Sequence, residues 1–357
     1  MEDGDSCIIF AISNINDYAM TKETQPEGFE MPVMQGKKMM LIINPISGTT
    51  GKAGLDRKAV KCLSPLGVDV DVRYTEYAGH ASELAAEAAR KGYAGVIAAG
   101  GDGTINEVAS SLCNTGVPLG IVPAGSGNGL ARHVGIPIDF DLALKVVAQQ
   151  FPLDVDYGTV NGKPFFCTTG VGFDAAVSHR FATQGKRGLM MYIKSMIETY
   201  RNYESETYTL SANGHVLTQK AFVVAVANAS QYGNNAYIAP NASIRDGLLD
   251  VMIIHSGDML STARVGMDMM SGYLDKNMNI TTFRTPSVVI YRSAEGPAHM
   301  DGEPMILGDI LDIRCHKGAL KMFVPKDHST FCPVITPVKS TLSGLGLGLR
   351  HLFSHKG

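Results

Sequence analysis

The sequence predicts an α/β protein, with an N-terminal open, mainly parallel α/β sheet domain and a C-terminal antiparallel β-rich domain. From residue 37 to residue 150, short apolar runs alternate with helical stretches and with Gly-rich loops that follow the strands, here called joints. This alternation is typical of a parallel sheet covered by helices. After about residue 151, strand-like runs follow one another with only turn residues between them. The chain has 357 residues, which is enough for two domains.

The N-terminal elements follow from their periodicity. Met39 to Ile43 is a continuous apolar run, which predicts a strand buried on both faces. The next predicted elements are a helix over Leu55–Leu66, a strand over Val68–Tyr74, a helix over His80–Lys91, a strand over Gly95–Ala99, a helix over Ile105–Leu112 and a strand over Pro118–Val122. In such a sheet the joints that follow the strands share one edge, and ligands bind at that edge.

The C-terminal half contains a predicted helix over Gly188–Tyr203 among strand-like runs. These runs are Glu206–Leu217, Ala221–Asn228, Leu248–Ile254, Ser287–Tyr291, Asp309–Cys315 and Leu320–Val324. We therefore expect an extension over residues 1–36, a first domain over 37–150, a second over 151–325 and a tail over 337–357. Residues 326–336 are a candidate for a return to the first domain.

Composition excludes several classes of protein. The formal net charge is −3, so nothing global predicts a nucleic-acid partner. The six cysteines form no C-x-x-C pair, which predicts reduced thiols and a cytoplasmic protein. No apolar run reaches 18 residues, so a membrane-spanning helix is not expected.

The most informative joint is Gly100-Gly101-Asp102-Gly103-Thr104, which follows a strand and opens a helix. Glycines let the backbone approach a phosphate, and the N–H groups of a helix start attract its charge. An aspartate in this position can bind magnesium or accept a hydroxyl proton. A tight turn with Asp102 as a capping residue explains the same pattern, so this joint alone leaves both interpretations open.

The other joints favour a nucleotide site. Small and hydroxyl-bearing residues end the other three strands as well: Asn44, Ser47 and Gly48; Thr75 with Gly79-His80; and Gly125-Ser126-Gly127-Asn128. Four such joints on one edge indicate a phosphate cradle. The chain has no G-x-x-x-x-G-K-[ST], which excludes a P-loop enzyme.

Together these residues resemble the diacylglycerol kinase and sphingosine kinase catalytic family, which shares its fold with NAD kinases. The matching motifs are Asn44-Pro45-x-Ser47-Gly48, Gly79-His80-Ala81, Gly100 to Glu107 (G-G-D-G-T-I-N-E), Pro123-Ala124-Gly125-Ser126-Gly127-Asn128, Asp156-x-Gly158-x-Val160-Asn161-Gly162, Asp246-Gly247-Leu248-Leu249-Asp250 and Asp301-Gly302-Glu303. They occur in the family's order over some four-fifths of the chain. The resemblance implies a lipid kinase that uses ATP and Mg²⁺, with a nucleotide-binding first domain and a lipid-substrate second domain.

The resemblance also implies roles for particular residues. Asp102 would be the general base or the organiser of the attacking hydroxyl, with Asp301 and Glu303 facing the phosphates from the second domain. Asp102, Asp156 and Asp301 would hold the metal. The ATP site would be lined by Asn44, Ser47, Gly48, Thr75, Gly100, Gly101, Gly103, Thr104, Glu107, Gly125, Ser126 and Asn128.

The acceptor lipid is less clearly indicated. Many bacterial diacylglycerol kinases carry an acidic residue where this chain has Gly129, and the pattern of this chain looks closer to that of sphingosine kinases. Asp174 lies near the acidic residue that sphingosine kinases use for the amine, with the register shifted by two, although a helix-start carboxylate explains Asp174 equally well. A sphingoid base is therefore the first expectation, and diacylglycerol is the alternative. An NAD kinase and a non-catalytic lipid-binding regulator are more distant alternatives.

Two apolar features have a simple explanation and a functional one. The methionines, including Met190-Met191 and Met267 to Met270, are expected to fill the core, although Leu189 to Tyr200 is also a candidate lining for an acyl-chain tunnel. In the tail, Leu342, Leu345, Leu349, Leu352 and Phe353 would share one helical face. That face predicts a peripheral membrane contact, and the alternative is a disordered tail. A homodimer is also open.

Overall fold

The computed structural model describes residues 37–46, 54–183, 189–274 and 277–326. The predictions for the N-terminal extension and for the tail lie outside these residues. So do Ser47, Gly48 and the side chains of Met190 and Met191.

The first half of the chain forms the parallel part of a large sheet. Its elements are β1 (Lys37–Ile43), α1 (Leu55–Leu63), β2 (Val68–Tyr74), α2 (His80–Arg90), β3 (Gly95–Gly100), α3 (Asp102–Leu112), β4 (Leu119–Pro123), α4 (Gly129–His133) and α5 (Phe140–Ala148). A short 3₁₀ turn over Ser64–Leu66 follows α1. The strands run parallel in the order β2-β1-β3-β4. Met39 to Ile43 are 0–1% exposed, as a strand buried on both faces requires.

The second half contributes strands to two sheets. Its elements are β5 (Pro152–Val160), β6 (Lys163–Phe165), β7 (Thr168–Gly172), α6 (Phe173–Thr183), α7 (Leu189–Asn202), β8 (Glu206–Ala212), β9 (His215–Ala221), β10 (Val223–Ala227), β11 (Leu249–Ile254), α8 (Met259–Ser271), β12 (Ile280–Thr285), β13 (Ser287–Tyr291), β14 (Gly296–Met300), β15 (Glu303–Leu307) and β16 (Ile310–Phe323). Among the described residues, β12-β11-β10-β7-β14-β15 form an antiparallel sheet. The long strand β16 pairs parallel with β4 and antiparallel with β5 and β13, so that it extends the first sheet.

The predicted fold class is confirmed, and three predicted strands need correction. The run Glu206–Leu217 is not one strand, because Asn213 and Gly214 adopt positive φ angles of 52° and 76° and reverse the chain between β8 and β9. The runs Asp309–Cys315 and Leu320–Val324 are parts of the single strand β16. An irregularity between His316 and Leu320 interrupts its pairing with β5 and hides its continuity in the sequence.

Apolar packing joins the two sheets. One core cluster contains Val171 and Val226 of the antiparallel sheet together with Leu311 and Ile313 of the large sheet. On its other side the antiparallel sheet carries a separate cluster that includes Val265 of α8. None of the described helices combines the length and the apolar content needed to cross a bilayer.

The expectation that Met267 to Met270 fill the core is wrong for two of these residues. Met267 is 65% exposed and Met270 is 56% exposed. The reason is the orientation of α8, whose one fully buried residue is Val265.

Candidate active site

The glycine joints after β3 and β4 meet backbone to backbone. A Cβ atom on Gly125 would lie 2.7 Å from the Cα of Gly101, so neither joint could carry a side chain here without moving the other. The N–H of Ala124 donates to the carbonyl of Gly100 at 2.7 Å and fixes the two joints in register. This close approach is the reason for the glycines that the sequence shows.

Asp102 lies where these joints meet. Its Oδ2 accepts the N–H of Asn128 at 2.9 Å, and its Oδ1 accepts the N–H of Gly129 at 2.8 Å. The carboxylate therefore orders the start of α4, whose own preceding residue, Asn128, makes no side-chain cap. Each oxygen keeps lone-pair capacity beyond this one bond, because an ionised carboxylate offers about four acceptor sites.

The start of α3 belongs to the same place. The helix begins at Asp102, and its first intrahelical bond runs from the N–H of Ile105 to the carbonyl of Gly101. The N–H groups of the first turn of an α-helix have no acceptor inside the helix and favour an anion. The geometry therefore combines an anion-attracting helix start with a carboxylate on its first residue.

Two further predicted residues support this joint from the side. The Nδ2 of Asn44 donates to the Oγ1 of Thr104 at 2.9 Å, which links the end of β1 to the first turn of α3. Glu107 reaches the start of α2, where its carboxylate accepts the N–H of Gly79 at 3.0 Å and that of Ala81 at 3.2 Å. Glu107 thus links α3, the helix that follows β3, to the loop that follows β2.

The other residues predicted to line the ATP site lie at the edge of the sheet where the parallel strands end, called the rim below. Thr75 lies at the end of β2, where its N–H donates to the carbonyl of Ile43 at 2.9 Å. Ser126 is exposed, whereas Asn128 is 1% exposed and exchanges two hydrogen bonds with the backbone of Gly125. Asn128 therefore shapes the joint, and Ser126 is the residue that faces solvent.

The antiparallel sheet reaches this rim through the hairpin of β14 and β15. Its two-residue turn is Asp301-Gly302, with φ angles of 50° and 82°, which is the geometry that favours an Asp-Gly pair. Glu303, the next residue, places its Oε1 3.2 Å from where a Cβ of Gly103 would stand. The hairpin thus brings an exposed carboxylate directly against the start of α3.

Asp301 is bonded differently from Asp102. Its Oδ2 accepts Asn106 Nδ2 at 3.0 Å and the N–H of Phe166 at 2.8 Å. Its Oδ1 accepts the N–H groups of Cys167 and Thr168 at 2.7 and 2.8 Å. Burial raises the pKa of this carboxyl group, and the three backbone N–H bonds oppose that rise. Four donors fill the carboxylate, so Asp301 ties the hairpin to β6, β7 and α3.

Asp156 also binds backbone. It is 2% exposed, and its two oxygens accept the N–H groups of Gly247 at 2.6 Å and Gly318 at 2.7 Å. In the described part of the chain, no three His, Cys, Asp or Glu side chains are grouped so that they could hold a metal ion. The expected set of Asp102, Asp156 and Asp301 is thus not brought together there.

The carboxylates next to the helix start nevertheless fit magnesium that arrives with a nucleotide. Mg²⁺ is usually bound by one or two carboxylates together with substrate phosphates and waters, rather than by a cage of protein ligands. Asp102 and Glu303 supply two carboxylates beside Gly103.

Asp174, the predicted substrate residue, lies in the first turn of α6, the helix that follows β7. Its Oδ2 accepts Tyr232 Oη at 2.7 Å and lies 2.9 Å from His299 Nε2, while Oδ1 accepts the N–H of Ala175 at 2.7 Å. A Cβ on Gly170 would lie only 3.0 Å from His299 Nε2, so this glycine leaves room for the imidazole. The contacts agree with a helix-start carboxylate and add a histidine and a tyrosine that the sequence did not reveal.

Cys167 is a further site residue that sequence reasoning missed. Burial raises the pKa of its thiol well above the usual value, and the nearby carboxylates of Asp301 and Asp102 raise it further. Its Sγ would be 3.3 Å from a Cβ on Gly129, so a larger residue at position 129 would have to displace the thiol by a few tenths of an ångström. No local motif marks Cys167, because its position depends on contacts between distant parts of the chain.

Comparisons with known proteins match both halves of the chain. Residues 38–160 match the family described as "Diacylglycerol kinase catalytic domain", and residues 167–324 match the "YegS C-terminal NAD kinase beta sandwich-like domain". "Probable lipid kinase YegS" of Escherichia fergusonii is 31% identical over 286 residues, covering 78% of this chain and 93% of that protein. "Probable lipid kinase YegS-like" of Pseudomonas savastanoi is 31% identical over 304 residues, covering 82% and 95%. A crystal structure of "a putative diacylglycerol kinase" from Bacillus anthracis superposes with a TM-score of 0.71 at 25% identity, covering 86% of this chain and all of that one.

Proposed function

We propose that this chain, which belongs to the YegS-like family of probable lipid kinases, transfers the γ-phosphate of ATP to a hydroxyl group of a membrane lipid. In this proposal Asp102 orients that hydroxyl group and accepts its proton. Use of ATP is implied by the kinase family. The observation that carries the proposal is the position of Asp102 at the start of α3, where two glycine joints meet and the N–H groups of Asn128 and Gly129 hold its carboxylate.

The residues divide the work of phosphoryl transfer. The glycine joints and the first turn of α3 supply N–H groups that suit phosphate oxygens. Asp102 orients the acceptor hydroxyl and takes its proton as the bond to phosphorus forms. Magnesium bound with the nucleotide would be held by Asp102 and Glu303 and would neutralise charge on the phosphates.

Asp301 and Asp156 have supporting roles in this proposal. Both carboxylates bind backbone N–H groups, and Asp301 carries the turn that positions Glu303. We therefore assign to Asp301 the positioning of the hairpin rather than direct metal binding.

For the acceptor, two lipid classes are supported by different observations. The carboxylate of Asp174 already binds Tyr232, His299 and the N–H of Ala175, which leaves it little acceptor capacity for the ammonium group of a sphingoid base. This supports a lipid with an uncharged head, such as diacylglycerol, as the first candidate. The glycine at residue 129, which resembles the sphingosine kinase pattern, keeps a sphingoid base as the second candidate.

A lipid panel tests the proposal. Purified protein with radiolabelled ATP and Mg²⁺ is offered diacylglycerol, monoacylglycerol, sphingosine and NAD, and the products are separated by thin-layer chromatography. We expect label in a phosphorylated glycerolipid. Label only in sphingosine phosphate would reverse the order of the two candidates, and label in no lipid would reject the function.

A further inference from the structure

The helix α8 presents its apolar side to solvent. Its exposed large apolar side chains are Met259, Leu260, Met267 and Met270, with exposures between 56% and 78%. At 100° per residue these four fall within one arc of the helix, together with Ala263 and Gly266, which are also exposed. A helix on the surface of a protein normally has the opposite arrangement.

The inward side of α8 is mixed. Val265 is buried in the cluster under the helix, whereas Ser261, Thr262 and Asp268 are only partly buried. Asp258 caps the helix by accepting the N–H of Ser261 at 2.8 Å. The N-terminus of α8 is therefore capped, and its buried side packs on the cluster below it. The exposed apolar residues, called the stripe below, thus belong to a well-formed helix.

Two large apolar side chains outside this helix are exposed as well. Met278, in the connection to β12, is 94% exposed, and Met196 of the neighbouring α7 is 38% exposed. The two helices touch where Tyr200 Oη donates to Thr262 Oγ1 at 3.4 Å. A patch of exposed large apolar side chains of this kind marks an interaction surface.

Charge is nearly absent from the stripe. Arg264 stands at its edge, 72% exposed and 3.9 Å from Asp268. A cation at the border of an apolar face is typical of a helix that lies in a membrane interface, where the apolar side enters the acyl region and the cation meets headgroup phosphates.

The helix is connected to the proposed active site through one loop. The carbonyl of Met269 accepts the N–H of Tyr237 at 3.0 Å, and in the same loop the N–H of Asn234 donates to the carbonyl of Gly127 at 3.1 Å. A surface bound at α8 would therefore lie beside the element that contacts the glycine joint next to Asp102.

From these observations we propose that the exposed face of α8, formed by Met259, Leu260, Met267 and Met270, docks on the surface of a lipid bilayer and presents the active site to membrane-resident acceptor. This inference rests on the lipid-kinase function proposed above. The contact is apolar insertion, so it does not require anionic lipid.

The first experiment uses the fact that the chain contains no tryptophan. Met267→Trp places a single reporter on the face, and Val216→Trp places one on β9, where Val216 is 69% exposed, as a matched control. On addition of phosphatidylcholine vesicles we expect a blue shift for Met267→Trp, with quenching by brominated acyl chains, and no change for Val216→Trp. No shift at residue 267, or equal shifts at both positions, would overturn the proposal.

The second experiment removes the apolar face. In the full chain, Met259, Leu260, Met267 and Met270 are replaced together by Gln, and vesicle flotation is expected to weaken by about 100-fold or more. Phosphorylation of a long-chain lipid in vesicles should fall with it, while phosphorylation of a short-chain, monomerically dissolved lipid and the thermal unfolding midpoint should not change. Unchanged flotation would overturn the docking surface.

The outcomes separate this inference from the proposed function and from other occupants of the face. A wild-type protein that shows the Met267→Trp shift but phosphorylates no lipid would reject the function and keep the docking surface. Light scattering that shows a dimer for the wild type and a monomer for the Gln variant would assign the face to a second copy. If deletion of residues 327–357 exposed Met267→Trp to aqueous quencher in the absence of vesicles, the C-terminal segment would be the occupant. Either of these last two results overturns bilayer docking.

Discussion

The glycine rim and the β14–β15 hairpin each contribute an aspartate followed by glycine, and the two carboxylates have different surroundings. Asp102 accepts two backbone N–H groups and is half-buried, so its oxygens can still receive a substrate group. Asp301 is also half-buried, but its carboxylate already accepts four donors. Both stand in motifs of one family, but only the number of donors shows which carboxylate has capacity for chemistry. The role of an aspartate in a motif therefore depends on how many hydrogen bonds its carboxylate already accepts.

The largest expected effect comes from removing the charge at Asp102. We expect Asp102→Asn to lower kcat by about 10²–10⁴-fold, because the acceptor hydroxyl loses its base. The amide also presents an NH₂ group to the N–H of Asn128 or Gly129, so unfolding free energy should fall by about 1–3 kcal/mol. Steady-state kinetics and urea denaturation measure the two effects separately.

Asp139→Asn is the matched control for this variant. Asp139 also caps a helix, by accepting the N–H of Leu142 at 3.0 Å, but it belongs to none of the glycine joints. We expect a small stability change and normal kcat. Equal loss of kcat in both variants would show that helix capping, and not chemistry at Asp102, explains the first result.

The complementary experiment addresses the carboxylate of Asp301, which has four donors. Asp301→Asn should lower unfolding free energy by about 2–4 kcal/mol, because an NH₂ group would face backbone N–H donors that now bind a charged carboxylate. The folded fraction should still bind nucleotide, because the glycine joints are intact. Urea denaturation and nucleotide binding check both statements. A stable Asp301→Asn protein without nucleotide affinity would reverse the roles that we assign to the two aspartates.

Much of the parallel half could be predicted from the sequence, because strands such as Met39–Ile43 are continuous apolar runs with glycine at their ends. The antiparallel sheet was harder to predict. Its central strands Thr168–Gly172 and Gly296–Met300 contain threonine, glycine, proline and histidine, so neither gives a clear apolar pattern. Thr168–Gly172 is fully buried and Gly296–Met300 is partly buried, because neighbouring strands and α6 pack against them. This tertiary context is not contained in a local pattern.

The same limit applies to the site. The joints that hold Asp102 could be predicted, because sheet topology alone brings the ends of parallel strands to one edge. The partners of Asp174 and Asp301 could not, because the bond to His299 joins residues 125 positions apart and that to Asn106 joins residues 195 apart. Contacts of this separation leave no periodic signal in a single sequence.

Replacement of Glu303 tests whether the carboxylate of the hairpin contributes to catalysis, and its expected effect is smaller. Glu303→Gln should lower kcat by about 10–100-fold, because a charge beside the start of α3 is lost. Stability should hardly change, since the side chain is exposed. Glu295→Gln, an exposed carboxylate that precedes β14, is the control and should have normal kcat. Normal kcat in Glu303→Gln would leave the hairpin with a purely structural role.

The smallest effect concerns an aspartate whose partners are side chains instead of backbone. On β2, Asp71 accepts Arg73 Nε at 3.0 Å and Tyr93 Oη at 2.6 Å, with Lys38 Nζ 3.7 Å away. The hydrogen bond from Arg73 is the main cause that lowers the pKa of Asp71 from 3.8 to about 2. A carboxyl group with a lowered folded-state pKa stabilises the protein above its unfolded-state pKa and loses this contribution as the pH falls through the folded value. We therefore expect Asp71 to contribute fully near neutral pH and progressively less between about pH 4 and pH 2.

Because this network is partly open to solvent, its contribution should be below about 1 kcal/mol. Urea denaturation of Asp71→Asn should thus show a small loss near neutral pH that disappears toward about pH 2, with the exposed Asp69→Asn on the same strand as control. A loss that does not depend on pH would mean that Asp71 acts through hydrogen-bond geometry and not through its charge. In that case hydrogen bonding would stabilise Asp71 in the same way as it stabilises Asp102 and Asp301. The three aspartates would then differ only in how many further hydrogen bonds their carboxylates can accept.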